Sequence, residues 1–112
     1  MTKSQDIRNL QALSQIVLDA SLADLRAAAR ARDQTLAHLR DLTTAQPWIE
    51  GASGMAEAQA SLAYQRWADA RRADLNQTLA QQTALWIEGR DAARQAFGKS
   101  DVLAALARKP RR

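Results

Sequence analysis

The sequence predicts an all-α fold: a long two-helix antiparallel coiled-coil hairpin with a short C-terminal helix. Of the 112 residues 46% are apolar, but 25 of these are alanine, so large side chains are too few for a layered core. Four Gly and two Pro leave long uninterrupted stretches, a composition typical of long helices. Large apolar residues recur at steps of three and four, which places them on one face of a helix.

The first helix is predicted over about residues 4–44. No Gly or Pro occurs between Thr2 and Thr44. Thr2 with Gln5, or Ser4 with Asp6, supplies the N-terminal cap. The stripe on this helix is predicted to contain Ile7, Leu10, Leu13, Val17, Leu22, Leu25, Ala29, Arg32, Leu36 and Leu39.

A loop follows at about residues 45–54, because "TTAQPWIEGASGM" contains Pro47, Gly51 and Gly54. Ser53 is placed to cap the second helix, predicted over about residues 55–97. Gly98 should stop that helix, and "SDVLAALA" should form a short helix over about residues 101–107. A basic tail, 108–112, completes this single domain.

The hairpin predicts which residues face one another. A bend near residue 51 places Leu36 opposite Trp67 and Leu25 opposite Leu75. Each helix has one five-residue step in its stripe, Val17 to Leu22 and Ala70 to Leu75. Such a step breaks a seven-residue repeat and should locally unwind the supercoil.

The net charge of +4 is concentrated at the C-terminus. Residues 1–107 carry 12 basic and 12 acidic side chains, so the excess lies in Arg108, Lys109, Arg111 and Arg112. Such a tip fits an acidic protein groove or a phosphate backbone, or it is only a solubilising end. The N-terminus has no apolar signal region and no stretch is apolar enough to span a membrane, so we expect a cytoplasmic protein.

The side-chain inventory argues against catalysis. The chain has no Cys and a single His, His38, and many of its carboxylates lie close to Arg, as Asp69 does to Arg72. No group of residues has metal-ligand spacing, and no Gly-rich loop follows a strand. We therefore expect no enzymatic activity, no cofactor, no metal and no small-molecule substrate.

A contact surface is the alternative to a catalytic site. Tyr64, Trp67 and Arg71 combine residue types that dominate protein interfaces. Trp67 is either a partner contact or a residue between the helices, opposite Leu36. Specific nucleic-acid binding is disfavoured because Asp69 and Asp74 offset the nearby arginines. Several apolar residues lie beside or off the predicted stripe and indicate a partner or self-association: Leu42, Met55, Leu62, Tyr64, Leu85 and Ile87.

Residues 60–106, with "LAYQRWADARRADLN" and then "AFGKSDVLAAL", resemble the FliJ family of flagellar export proteins. Members of that family are small antiparallel coiled coils of the type III secretion apparatus. They are similar to the two-helix stalk of the rotary ATPase gamma subunit.

The resemblance implies an accessory of the export ATPase whose two chain ends enter the pore of the ATPase hexamer. The middle of the second helix would contact the export gate, and the protein would also handle export chaperones, so that it meets the membrane only through partners. The gate-facing residues would be Tyr64, Trp67, Arg71 and Leu75. The ring-facing residues would be Ile7, Arg8, Leu10, Phe97, Leu103, Leu106, Arg108, Lys109, Arg111 and Arg112.

Other classes of protein fit the same residues. One is a generic coiled-coil adaptor, or a scaffold that self-assembles into a four-helix bundle. Another is a small nucleoid-type binder that uses the basic tail, with an affinity for DNA that falls steeply with salt. Oligomeric state separates the first two possibilities, since a stalk should be a monomer and a scaffold a dimer or larger.

Overall fold

A computed structural model describes residues 2–44 and 54–108, and both parts are helical nearly throughout. Helix α1 spans Lys3–Thr44 and helix α2 spans Met55–Arg108. The helices run antiparallel, because Leu10 near the start of α1 lines one groove with Leu103 near the end of α2. The predicted all-α hairpin is confirmed. The loop with its Ser53 cap, and the tail residues Lys109, Arg111 and Arg112, lie outside the described residues.

Local hydrogen bonds explain where α1 begins and ends. The Thr2 carbonyl accepts from the amides of Gln5 and Asp6 at 3.1 and 3.2 Å, and the Thr2 hydroxyl accepts from Gln5 at 3.4 Å. Thr2 is therefore the N-cap, one of the two predicted choices. At the other end the hydroxyls of Thr43 and Thr44 donate to backbone carbonyls one turn back. The Thr44 hydroxyl also lies 3.3 Å from the carbonyl of Asp41, one of the last four acceptors, which have no amide partner within the helix.

The second helix does not stop at Gly98, so the predicted break is wrong. Helix α2 continues through Gly98 and includes the segment predicted as a separate helix over residues 101–107. A glycine inside a helix costs only about 1 kcal/mol relative to alanine, which packing on both sides offsets. Ala93 and Ala96 are buried on one side of Gly98, and Leu103 is half-buried on the other.

Contacts group the chain into two compact units, each formed by a segment of α1 and a segment of α2. Unit 1 contains Met1–Arg30 and Ala84–Arg112, and unit 2 contains Ala31–Thr83. In unit 1 the buried residues are Leu18, Ala93 and Ala96, whereas unit 2 buries Thr35, Leu42, Ala68 and Leu75.

The residues between the helices, which we call the seam, follow a more regular pattern than predicted. The α1 seam contains Ser4, Ile7, Gln11, Ser14, Leu18, Ser21, Leu25, Ala28, Arg32, Thr35, Leu39 and Leu42. Steps of three and four alternate along this whole series, so the predicted five-residue step from Val17 to Leu22 is wrong. A strict seven-residue repeat keeps one stripe facing the partner helix. Val17 is out of phase with that repeat, and Leu18 takes its place.

The α2 seam also lacks its predicted five-residue step, from Ala70 to Leu75. Half-buried Arg72 lies between buried Ala68 and Leu75, so the steps are again of three and four. The residues of this seam are Ser61, Tyr64, Ala68, Arg72, Leu75, Leu79, Gln82, Trp86, Gly89, Ala93, Ala96, Ser100 and Leu103.

The register of the hairpin also differs from the prediction. In unit 1, Leu25 lies against Gly89 rather than Leu75, and a Cβ at residue 89 would be 3.6 Å from the Leu25 Cα. In unit 2, the Arg32 Nε donates to the Thr83 hydroxyl at 3.1 Å. The hairpin is therefore not folded symmetrically about residue 51. The first turns of α2, residues 55–60, are exposed throughout and have no partner among the described residues of α1.

The seam contains many small and polar side chains. Thr35 is buried, and its hydroxyl is satisfied by the Ala31 carbonyl at 3.3 Å. Among the described residues no large side chain is fully buried. The packing between α1 and α2 is therefore thin, and many large apolar residues remain on the surface.

Candidate partner-binding cleft

The four residues predicted to face a partner in mid-helix share one side of α2 and one cleft. Tyr64, Trp67, Arg71 and Leu75 follow one another at steps of three and four, which aligns them along the helix. In unit 2 they line a cleft of about 360 Å³, which we call the aromatic cleft. Its other wall comes from α1 and consists of His38, Asp41 and Leu42.

The floor of the aromatic cleft is a buried hydrophobic cluster of unit 2. Leu42, Ala68 and Leu75 form a buried cluster, and Leu39 and Tyr64 pack against it half-buried. Leu75 is only 6% exposed. The predicted contact residue Leu75 is thus a core residue that supports the cleft from below.

Trp67 lies above this floor, and more than half of its surface is exposed to solvent. The side chain is 56% exposed, so Trp67 is not the seam residue opposite Leu36 that one interpretation required. The Tyr64 ring is its neighbour, with centroids 5.7 Å apart and planes inclined by 43°. Tilted aromatic pairs contribute about 0.5–1.5 kcal/mol beyond their buried area, which favours a fixed position for the indole.

The rim of the aromatic cleft carries charges of both signs. Arg71, Asp41 and His38 are all exposed. Among the described residues no carboxylate is close enough to form an ion pair with Arg71. Its guanidinium beside an exposed indole therefore suits a ligand with an apolar group next to a carboxylate.

Tyr64 also borders a second, smaller cleft, which shares Leu42 and Ala68 with the packed floor. Asp69 and Arg72 close this side with an ion pair of 2.9 Å. Because both side chains of the pair are substantially exposed, it contributes little to stability. Tyr64 thus forms the ridge between two clefts, and its truncation would alter both.

The predicted ring-facing residues lie in unit 1, and the structure brings only some of them together. Leu103 lines a groove with Leu10 and Leu13, and Leu106 is exposed one turn of α2 further on. Phe97 is exposed but does not line that groove. Ile7 is half-buried in the seam, whereas Arg8 and Arg108 are exposed.

Three residues of the aromatic cleft were missed from the sequence. His38 and Asp41 look like ordinary surface residues in α1, and Leu42 looked like an off-stripe residue although it is buried. A signal for Leu42 exists, since it lies three residues after Leu39 and seven after Thr35, and so keeps the alternating steps of three and four. No sequence signal places His38 and Asp41 opposite Trp67, because that depends on the register.

Neither a metal-binding cluster nor a membrane-spanning helix occurs in the part of the chain that the structure describes. No three His, Cys, Asp or Glu residues there are grouped closely enough to hold a metal ion. Neither described helix has a stretch apolar enough to span a lipid bilayer.

No protein-family model, curated protein or solved structure matches this chain. The FliJ resemblance therefore rests on the quoted sequence segments alone and stays a prediction.

Proposed function

We propose that this chain is a non-enzymatic, protein-binding helical hairpin that holds its partner at the aromatic cleft. The observation that carries the proposal is an exposed tryptophan on a packed floor, with the Arg71 guanidinium lining the same cleft. Trp, Tyr and Arg on a rigid support are the usual centre of a protein interface.

Within this class we propose an accessory role in flagellar or type III export, with a cytoplasmic location. The support is the resemblance of residues 60–106 together with the hairpin fold. On this proposal the export gate or a chaperone binds at the aromatic cleft. The export ATPase binds at the end of the hairpin that carries Leu103, Leu106 and Arg108. A generic coiled-coil adaptor is the alternative, with the same cleft and a different partner.

The test is affinity purification from the native cell with the full chain and two double variants. Tyr64→Ala with Trp67→Ala removes the aromatic pair, and Leu106→Ala with Arg108→Ala alters the end of the hairpin. Leu62→Ala is the matched control, because Leu62 is an exposed α2 residue that lines neither cleft of unit 2. Substitution is preferable to truncation at Phe97, which would cut α2 before Leu103.

We expect the first variant to lose the gate or chaperone and the second to lose the ATPase. Circular dichroism should show unchanged helix content in all variants. Recovery of every partner by the Tyr64 and Trp67 variant would refute the cleft as the binding site. Capture of unrelated proteins only, lost with the same variant, would keep the cleft and reject the export role.

A further inference from the structure

Unit 1 carries a second apolar stripe on α1, beside the seam. Leu10, Leu13 and Val17 recur at steps of three and four. Each of them directly precedes a seam residue in the sequence. All three are at least half exposed. They were predicted to lie between the helices, but the regular repeat leaves them outside.

Helix α2 contributes to the same side of unit 1. Leu10, Leu13 and Val17 line a groove of about 220 Å³ with Ala96, Lys99 and Leu103. Val102 and Leu103 line the adjoining hollow, and exposed Leu106 continues the stripe. We call this surface the platform; it contains Leu10, Leu13, Val17, Lys99, Val102, Leu103 and Leu106. Apart from Lys99 and half-buried Leu103, these residues are between 46% and 59% exposed.

Gly98 makes a hollow at the edge of the platform. Gln95, Gly98, Lys99, Val102 and Leu103 line it, and no atom lies within 4 Å of where a Gly98 Cβ would be. A glycine on a helix surface lets another helix approach closely, so the hollow suits a side chain from an opposing helix.

The shape of the platform favours a partner that is itself two helices wide. A surface built by two antiparallel helices is covered most completely by another such pair, as in a four-helix bundle. A second copy of this chain presents such a pair, and the thin seam leaves each copy with little core of its own.

The charged residues at the platform also fit a second copy of this chain as its partner. Lys99 is the charged side chain of the groove, which it lines together with Leu13 and Val17. Asp6 continues the Leu10 and Leu13 stripe toward the N-terminus, about 10 Å along α1 from Leu13. A two-fold axis between these levels, near Leu10, brings Lys99 on α2 of each copy to the level of Asp6 on α1 of the other, where the long lysine side chain can reach across the groove. The apolar residues around Leu10 and Leu103 then meet at the axis.

We propose that the platform binds a second copy of this chain, forming an antiparallel four-helix dimer in which Lys99 pairs with Asp6 of the other copy. The interface does not involve the aromatic cleft, so it is independent of the partner proposed there. It covers the end of the hairpin assigned above to the ATPase ring. The dimer and a ring-bound monomer therefore exclude each other.

The first test is the mass of the full chain in solution by sedimentation equilibrium. We expect twice the chain mass for the unaltered protein. Leu13→Glu should weaken the dimer by at least about tenfold, since it places a carboxylate in an apolar contact. Leu85→Glu is the matched control: Leu85 is 60% exposed in unit 1 but lies about 25 Å along α2 from Val102, away from the platform. It should leave the dimer intact.

The second test addresses the arrangement of the two copies in the dimer. Lys99→Glu and Asp6→Lys should each weaken the dimer, and the double variant should restore it. Because the chain contains no cysteine, Leu10→Cys should form an intermolecular disulfide on mild oxidation, and Leu85→Cys should not.

Several outcomes would overturn the proposal. They are a monomer at every concentration, a dimer that Leu13→Glu leaves unchanged, and a dimer lost only with Trp67→Ala. A monomeric chain that loses a foreign partner through Leu13→Glu would show that another protein occupies the platform. The proposed function fails separately, if the Tyr64 and Trp67 variant stays dimeric and still binds every partner.

Discussion

Leu75→Ala tests whether the small cluster under the aromatic cleft holds unit 2 together. Leu75 is 6% exposed and packs with Leu42 and Ala68, so nearly all of its side chain is removed from water. Truncation of a buried leucine costs about 2–5 kcal/mol, from lost transfer energy and from the cavity left behind. The seam is a single layer that can relax from both sides, so we expect about 2–3 kcal/mol, the lower part of that range.

The assay is urea unfolding followed by circular dichroism at 222 nm, at one fixed protein concentration. An unchanged m-value would show that the comparison concerns stability alone. The control is Leu62→Ala in the same helix and the same unit, where the leucine is 47% exposed. We expect it to cost about 1 kcal/mol or less, because little buried area is lost. If Leu75→Ala costs no more than Leu62→Ala, the cluster is not the core of unit 2 and the rigid floor of the cleft is refuted.

Two substitutions in the seam should raise the free energy of unfolding. Gly89→Ala removes a helical glycine, and its Cβ would meet Leu25 at ordinary van der Waals distances, so we expect a gain of about 1 kcal/mol in urea unfolding. A loss would mean that the helices are closer there than the structure shows. Gln82→Leu replaces a buried amide oxygen without a hydrogen-bond partner and should stabilise by about 1 kcal/mol, measured as a rise in Tm. A lower Tm would show that the amide is satisfied after all.

The two helices could be predicted because their signals are local. The absence of Gly and Pro from Thr2 to Thr44 and the cap at Thr2 place α1 within a residue of where it lies. Gly98 was read as a stop because glycine is common at helix ends. A single glycine, however, cannot end a helix whose neighbouring turns pack on a partner.

The seam was harder to predict because side-chain size was given too much weight. Choosing the large residues Leu10, Leu13 and Val17 required a five-residue step, whereas the structure keeps the seven-residue repeat and accepts Ser14, Ser21 and other small or polar residues. Two long helices stay in contact along their length only if the seam residues recur at a constant interval. This requirement outweighs the size of each side chain.

The candidate site also combines features that local sequence signals predict with features that depend on long-range pairing. Tyr64, Trp67, Arg71 and Leu75 line one cleft, and their common side of α2 is readable from their spacing in the sequence. The opposite wall depends on which α1 residues lie across from them. That is set by long-range pairing, such as the bond between Arg32 and Thr83, for which no local signal exists.

The hydrogen bond from Arg32 to Thr83 also fixes a distance within unit 2. A slide of α1 by one helical turn, about 5.4 Å, would place the Arg32 guanidinium beside apolar Leu79 and break its bond to the hydroxyl. Because this slide is unfavourable, α2 extends a constant length beyond Leu42. The exposed turns that begin at Met55 are thus held at a set distance from His38 and Asp41 on the α1 wall of the aromatic cleft, so a partner that contacts both would recognise this distance as well as the side chains.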